Sequence, residues 1–402
     1  MVMAEQSAMY EIVNASIEDS QLTITWGDGH HSSYHPLWLR HQCECNVCGT
    51  PIDAVRGIRL LDIPSNIEPE LRDSSNTDVH IQWMPDKHRS VYSAKWLRNH
   101  CYSDQERARR KHRPTLWDGS IVDALPTFDF NQVEIDQAEH LAMLESVRDY
   151  GFCKVINLST EPGQSHRLIE LIGTQRQTHF STYNLSRKSS VDNVGDITSK
   201  LPPHVDETYR LSSIGIIIFQ VLQPSSNGGD STLVDGFQVA HQMKEKWPQD
   251  FDLLTRVPIA AERLDLGANT DGQSRWYKAR MPIIKLDSDN DISGVRINER
   301  QIAPLDIPAD LIEPCYRALR RMFEILYDPK MIITLKLKAG DGLLFNNQRV
   351  LHGRTEFDAE EPARSVLTSS VDLDDFYSTM RILRRTLDTE DSSMAFNQGM
   401  VV

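Results

Sequence analysis

The sequence predicts a mainly β protein in two parts: a small β-rich N-terminal domain, then a sandwich or jelly roll with inserted helices. Three observations carry that reading. The chain has 402 residues, more than one compact core usually holds. Its N-terminal part contains one β-hairpin pattern written twice. From Ile214 onward, short apolar and alternating runs outnumber helical ones.

In the repeat, TITWGDGHHSSYHPLWLRHQC (Thr23 to Cys43) matches HIQWMPDKHRSVYSAKWLRNHC (His80 to Cys101). Trp26 aligns with Trp83, His30 with His88, Tyr34 with Tyr92, Trp38 with Trp96 and Cys43 with Cys101. Each copy reads as an alternating strand, a turn rich in Gly, Asp or Pro, a second strand and a short helical WLR segment. Two such hairpins make a domain over residues 1–110, with the tryptophans in its core. The charged connector DQERARRKHRPTLWDGS (Asp104 to Ser120) has no periodic apolar face, and 111–127 serves as the linker.

The second domain spans 128–386. It opens on a helix pattern, VEIDQAEHLAMLESVRDYG, with Ile135, Ala138, Leu141, Met143, Leu144 and Val147 along one face and Gly151 as the stop. FCKVIN reads as a buried strand and SHRLIELIG as a helix. Phe180 to Ser199 is polar and irregular, a long loop of the kind that carries function. The β segments that follow are IGIIIFQVLQ, STLVDG, MPIIKLD, GVRIN and MIITLKLKAGDGLLFNN. ADLIEPCYRALRRMFEILYD is a helix inserted among them, with Pro314 near its start, where proline is tolerated. The tail, 387–402, reads as disordered.

Net charge is −14, from 43 basic and 57 acidic residues. That balance argues against a general nucleic-acid or anionic-membrane binder, since either needs a basic face. No apolar run approaches the ~20 residues of a membrane span. The N-terminus lacks the basic-then-apolar pattern of a secretory signal, so a cytoplasmic location is expected. Six cysteines are too few for a disulfide framework in a chain this long, and three crowd into CECNVC. Cys43, Cys45 and Cys48 can reach one tetrahedral Zn²⁺, which needs a fourth ligand.

A second metal pattern lies in LPPHVDETYR. Residues i and i+2 of a strand point the same way, so His204 and Asp206 project together if this stretch is extended. Pro202 and Pro203 disfavour helix there. His352, in NNQRVLHGR, is the candidate third ligand. Two imidazoles and one carboxylate leave open positions on Fe(II), a facial triad. Arg364, on the strand after the distal histidine, suits the far carboxylate of a dicarboxylic cosubstrate, because a guanidinium forks onto a carboxylate. Ser231 or Thr232 adds a hydroxyl to the same carboxylate.

The order His-x-Asp, GGDSTLVDGF, NNQRVLHGR, then Arg364 resembles the 2-oxoglutarate-dependent oxygenases of the TauD/TfdA superfamily, in particular its γ-butyrobetaine and trimethyllysine dioxygenase branch. The resemblance covers nearly the whole chain. It implies a double-stranded β-helix catalytic domain and a structural zinc in the N-terminal domain, with His88 as the fourth ligand; His30 and Cys101 are the alternatives that the repeat supplies. It implies Fe(II), 2-oxoglutarate and O₂, ascorbate as a supporting reductant, and a homodimer. In that branch an aromatic cage holds a trimethylammonium group by cation–π attraction. Tyr183 fills one cage position, His179 and Asp196 stand where relatives carry tyrosines, Asn193 matches a polar position, and Tyr209 is a further member. Arg296, Asn298 and Arg300 offer an anionic pocket, in which Arg300 suits a phosphonate. The implied substrate is γ-butyrobetaine or 2-(trimethylammonio)ethylphosphonate. Hydroxylation of another small acid or amine is the alternative, and a zinc-binding scaffold with a decayed iron site is a third reading that the intact triad opposes.

Overall fold

The computed structural model describes residues 8–49, 58–161, 166–177, 183–186, 198–266, 273–357, 364–387 and 389. These fall into two units that meet in sequence at His112 and Arg113. In the first unit, alternation builds the strands. Leu22, Ile24 and Trp26 of β2 (Gln21–Trp26) are buried, and Val79, Ile81 and Trp83 of β5 (Asp78–Met84) repeat the pattern. Each strand is the centre of a three-stranded antiparallel sheet. One sheet is β1 (Ile12–Glu18), β2 and β3 (His31–Tyr34); the other is β4 (Glu68–Ser74), β5 and β6 (Arg89–Ser93). Each copy thus has a leading strand beyond the two read from the sequence. The helices Pro36–His41 and Ala94–Asn99 carry the WLR segments.

One apolar core serves both copies. A buried indole N–H needs a partner, and Trp26 and Trp83 donate to Ser32 and Ser90 at 2.8 and 2.9 Å. Tyr34 donates to the Leu97 carbonyl and Tyr92 to the Leu39 carbonyl, both at 2.7 Å. Each copy therefore caps the helix of the other. The charged connector contains a helix, Asp104–Arg110, with Ser103 at its N-cap, acids in its first turn and arginines in its last. Its buried residue is Glu106, held by Arg98 at 2.9 Å, so no apolar stripe announces it.

The second unit is a jelly roll, the double-stranded β-helix that the family resemblance implies. Its larger sheet runs β7 (Thr127–Asp129), β8 (Phe152–Ile156), β18 (Gly342–Asn346), β11 (Ile216–Gln223), β20 (Ser365–Val371), β9 (Tyr183–Ser186). Its smaller sheet runs β10 (Leu201–His204), β19 (Val350–Arg354), β12 (Ser231–Asp235), β17 (Ile333–Leu335). Ile217 and Val221 of β11 point inward and meet Leu233, Phe345 and Val366. Ile216 and Ile218 point outward under the helices Gln137–Tyr150 and Leu373–Thr386. Val234 and Leu351, on the outer face of the smaller sheet, lie under Gly236–Lys246, Pro248–Arg256 and Ala309–Leu326. Two hairpins, β13 (Ile259–Asp265) with β14 (Arg275–Met281) and β15 (Ile284–Leu286) with β16 (Ile292–Val295), complete the unit. No helix among the described residues is long and apolar enough to cross a membrane.

Some elements differ from the sequence reading. The expected first helix is two, Phe130–Ile135 and Gln137–Tyr150, because Asp136 accepts the Ala138 N–H at 2.8 Å and starts a new helix. Ile135, placed on the apolar face, is 76 % exposed as a result. Gly151 does end the second helix, in the left-handed region at φ +83°, with Arg349 and Val350 against it. β9 falls inside the segment read as loop.

Asp235 and Arg349 fasten the smaller sheet. Asp235 is fully buried and takes two bonds from Arg349, Nε to Oδ1 at 3.0 Å and Nη2 to Oδ2 at 2.9 Å. It also accepts the Trp117 and Phe237 amides. Arg349 donates onward to the carbonyls of Asp149 and Thr115. Arg349→Met strands the buried carboxylate and is expected to lower stability by about 3–5 kcal/mol, measured by urea denaturation. A loss under about 1 kcal/mol would refute that role for the pair.

Candidate active site and structural metal site

Antiparallel register sets His204 on β10 directly opposite His352 on β19. Opposed side chains share a face. Both rings point between the sheets: their centroids are 4.5 Å apart, and Phe219 and Phe345 pack against His352 at 5.2 and 4.8 Å. Asp206 arrives by a route the extended reading did not foresee. The strand ends at His204, residues 206–209 turn, and Glu207 has φ +54°. Asn347 aims the carboxylate through its backbone: the Asp206 N–H donates to Asn347 Oδ1 at 2.9 Å, and Asn347 Nδ2 donates to the Asp206 carbonyl at 3.1 Å. Asp206 Oδ1 then lies 3.3 Å from His204 Nε2, and Oδ2 lies 3.5 Å from His352 Nε2.

The donor chemistry fits Fe(II). His204 Nδ1–H donates to the Pro202 carbonyl at 2.9 Å, leaving Nε2 as the lone-pair nitrogen. Burial holds His352 far below its ordinary value, at about 3, so it is neutral at pH 7. Burial pushes Asp206 up, but His352 and His204 outweigh it and keep the carboxyl well below its usual range. The three ligand atoms lie within 4.8 Å of one another. Two neutral imidazoles and one carboxylate on one side of a point leave the opposite positions open.

Beyond the histidine pair the site is cationic. Ser231 faces Arg354 and Leu233 faces His352 across β12 and β19, so Ser231 lies on the inner face. Thr232 pairs with Gly353, its hydroxyl 2.8 Å from where a Cβ there would sit, and it points to the outer face. Register thus separates the two candidate hydroxyls, and Ser231 is the one on the His352 side. Arg354 and Arg364 both pack near Phe357, at 4.5 and 6.0 Å. Burial and the Arg354 charge lower Arg364 to about 10. Gly228 and Gly229 are left-handed, φ +67° and +73°. A Cβ on Gly228 would strike the Glu356 carbonyl at 2.1 Å, and one on Gly229 would crowd Arg364 Cδ at 3.3 Å. The glycine pair in GGDS therefore brings the Arg364 stem in close.

On the other side of Asp206 a parallel course of backbone runs from Arg296 to Gln301. Val205 N–H donates to the Ile297 carbonyl at 2.9 Å, Asn298 Nδ2 to the Val205 carbonyl at 3.4 Å, and Thr208 Oγ1 to Gln301 Oε1 at 2.7 Å. Asn298 also accepts the Arg300 N–H, so its amide is a clamp on both segments. Arg296 is buried and donates to the Arg210 carbonyl at 3.5 Å. Arg300 is the exposed member. Its guanidinium is lowered by partial loss of hydration against the neighbouring chain, although the residue as a whole is exposed, and the Asp206 charge opposes that shift. Tyr209 is 1 % exposed and stacks on Tyr277 at 5.6 Å. Arg210 lies over Tyr277 at 4.4 Å and Arg263 lies 5.9 Å from Tyr209. His179, Asn193 and Asp196 lie outside the described residues, and Tyr183 is placed in β9 by its backbone alone.

In the first unit, Cys43, Cys45 and Cys48 Sγ lie 3.4, 3.6 and 3.5 Å from His88 Nε2. Ligands about 2.3 Å (sulfur) and 2.0 Å (nitrogen) from one tetrahedral centre stand about 3.5 Å apart, so the four fit a closed Zn²⁺ site. Burial first, then the Arg40 charge, lower His88 and favour its neutral, ligating form.

Asn347, Arg354, Tyr277 and the two phenylalanines were not assigned from the sequence. Asn347 and Arg354 were within reach, because both lie in NNQRVLHGR. Tyr277 was not, because it comes from a hairpin that carries no motif.

Residues 109–369 match the model of the taurine catabolism dioxygenase TauD, TfdA family, and residues 13–98 match a γ-butyrobetaine hydroxylase-like N-terminal domain. γ-Butyrobetaine dioxygenase of Pseudomonas sp. (strain AK-1) is 30 % identical over 93 % of this chain and 96 % of its own. Trimethyllysine dioxygenase of Meyerozyma guilliermondii is 28 % identical over the same shares. Among solved structures, a taurine dioxygenase from Burkholderia xenovorans superposes with a TM-score of 0.46 and 12 % identity, over 66 % of this chain and 93 % of that one.

Cys48→Ser is expected to remove stoichiometric zinc from Fe(II)-loaded protein, measured by elemental analysis. Retention of a full equivalent would refute the four-ligand assignment.

Proposed function

Because the chain belongs to the taurine catabolism dioxygenase TauD, TfdA family, we propose that it hydroxylates an aliphatic C–H of a small quaternary-ammonium compound with an anionic tail, either 2-(trimethylammonio)ethylphosphonate or γ-butyrobetaine. It is an Fe(II)- and 2-oxoglutarate-dependent dioxygenase. His204, Asp206 and His352 would hold the iron. When bound, iron with 2-oxoglutarate and dioxygen supplies the oxidant for hydroxylation, the cosubstrate leaving as succinate and carbon dioxide.

The chain's own residues position the partners. Arg364 and Ser231 take the far carboxylate of 2-oxoglutarate, and Arg354 adds positive charge at that end. Phe219 and Phe345 keep water from the inner side of His352. Arg300, exposed yet near enough to feel the Asp206 charge, would take the anionic tail of the substrate. Tyr183, Asn193 and Asp196 are assigned to the cationic head, with the stacked Tyr209–Tyr277 pair as an aromatic wall. The observation that carries the reading is the triad flanked by the buried Arg354 and half-buried Arg364 on one side and Arg300 on the other. One observation favours the alternative, another small acid or amine: the faces of Tyr209 and Tyr277 already have Arg263 and Arg210 near them.

Protein supplied with Fe(II), ascorbate and 2-oxoglutarate is expected to form succinate in step with one member of a panel of betaines and aminophosphonates. If none stimulates succinate formation, the substrate class is wrong. His204→Ala is expected to abolish turnover and leave zinc unchanged. Loss of zinc with it would refute the independence of the two metal sites. Arg300→Gln is expected to lower kcat/KM roughly 10- to 100-fold for the phosphonate, the loss of one charge-assisted hydrogen bond, and less for the carboxylate. Equal losses on both would remove the case for phosphonate.

A further inference from the structure

The repeat leaves one corner of the N-terminal unit without a role. Laying the second copy on the first maps Cys43, Cys45 and Cys48 onto Cys101, Ser103 and Glu106, while His88 maps back onto His30. The contacts repeat as well. Cys43 Sγ lies 3.4 Å from His88 Nε2 and accepts from Ser90 at 3.0 Å, and Ser90 accepts the Trp83 indole. Cys101 Sγ lies 3.6 Å from His30 Nε2 and accepts from Ser32 at 3.1 Å, and Ser32 accepts the Trp26 indole. Arg40 donates to Cys48 at 3.2 Å and pairs with Asp86 at 3.3 Å. Arg98 reaches Glu106 at 2.9 Å and Asp28 at 2.7 Å. Asp86 and Asp28 each accept the amide of the histidine two residues on. Cys45 sulfur takes the backbone N–H of Cys48, as Ser103 Oγ takes that of Glu106.

The two corners differ in two ligand positions. Where the first has thiols at Cys45 and Cys48, the second has the Ser103 hydroxyl and the buried Glu106 carboxylate. Glu106 is held by Arg98, Arg109 and Arg110. Ser103 Oγ lies 3.4 Å from His30 Nε2 and 3.4 Å from Cys101 Sγ.

We propose that the His30–Cys101 corner is a second zinc-type site, degenerate in two ligands but intact in scaffold, which Ser103→Cys with Glu106→Cys restores as a tetrahedral site for a soft divalent cation. In the native chain, hydrogen bonds and the Glu106–arginine pairs close the corner without a metal. A Cys₃His set selects Zn²⁺ or its probe Co²⁺, whereas one thiol and one imidazole leave half the coordination to water.

The test is Co²⁺ titration of the full chain carrying His204→Ala and His352→Ala, so that only thiolate sites report, read through the thiolate-to-cobalt absorption. One equivalent is expected for that parent. Two equivalents and about a two-fold signal are expected after adding Ser103→Cys and Glu106→Cys. Adding Cys101→Ser to these should return the titration to one. Ser103→Cys alone keeps the Glu106 ion pairs and guards against misfolding of the double replacement. It is expected to take up a second, weaker equivalent. Two thiolate-bound equivalents in the parent would overturn the proposal, as would a single equivalent in every variant that keeps the parent's circular dichroism.

Discussion

The ion pair between Asp235 and Arg349 is the constraint on which the catalytic unit depends. It joins the last residue of β12 to the residue before β19, and β12–β19 pairing sets Leu233 opposite His352 and Ser231 opposite Arg354. A one-residue slip would turn every one of those side chains to the other face. The pair lies under full burial, where a carboxylate persists only with its counter-ion and its amide donors present. The same guanidinium also gathers the carbonyls of residues 115 and 149, so the strand carrying the distal ligand is anchored to the start of the unit.

The two candidate metal clusters differ in donors and in closure. In the first unit four soft ligands surround a point and leave nothing open, which suits stabilisation. In the second, three candidate ligands occupy one side, and Arg354, which is buried, and the half-buried Arg364 put positive charge beyond them. Acidic overall charge does not oppose this, because recognition depends on a local cluster rather than on the net value.

Much of this was legible in the sequence where chemistry is concentrated in short strings. The repeat, the cysteine cluster, the His204–Asp206 pair and the mainly β second part follow from spacing or alternation, while His352 rests on the order of motifs that the family resemblance supplies. The misses have physical causes. Asp206 is aimed by Asn347, more than a hundred residues away, rather than by strand periodicity. Thr232 and Ser231 are adjacent, and only the register with β19 separates them. The helix Asp104–Arg110 buries a glutamate instead of an apolar face, so hydrophobic periodicity is silent there. Leu373–Thr386 packs its stripe under β11, but it follows the last motif and drew no reading. Tyr277 reaches Tyr209 through a hairpin whose sequence is ordinary.

The backbone ladder between residues 205–208 and 297–301 has a mechanical meaning. Asp206 belongs to one rail and Arg300 to the other, and Asn298 is a rung bonded to both. The backbone N–H of Arg300 and the carbonyl of Val205, next to Asp206, are thus tied to one buried amide. Replacing Asn298 therefore unfastens the backbone on both sides at once, the turn that carries Asp206 and the short helix that carries Arg300.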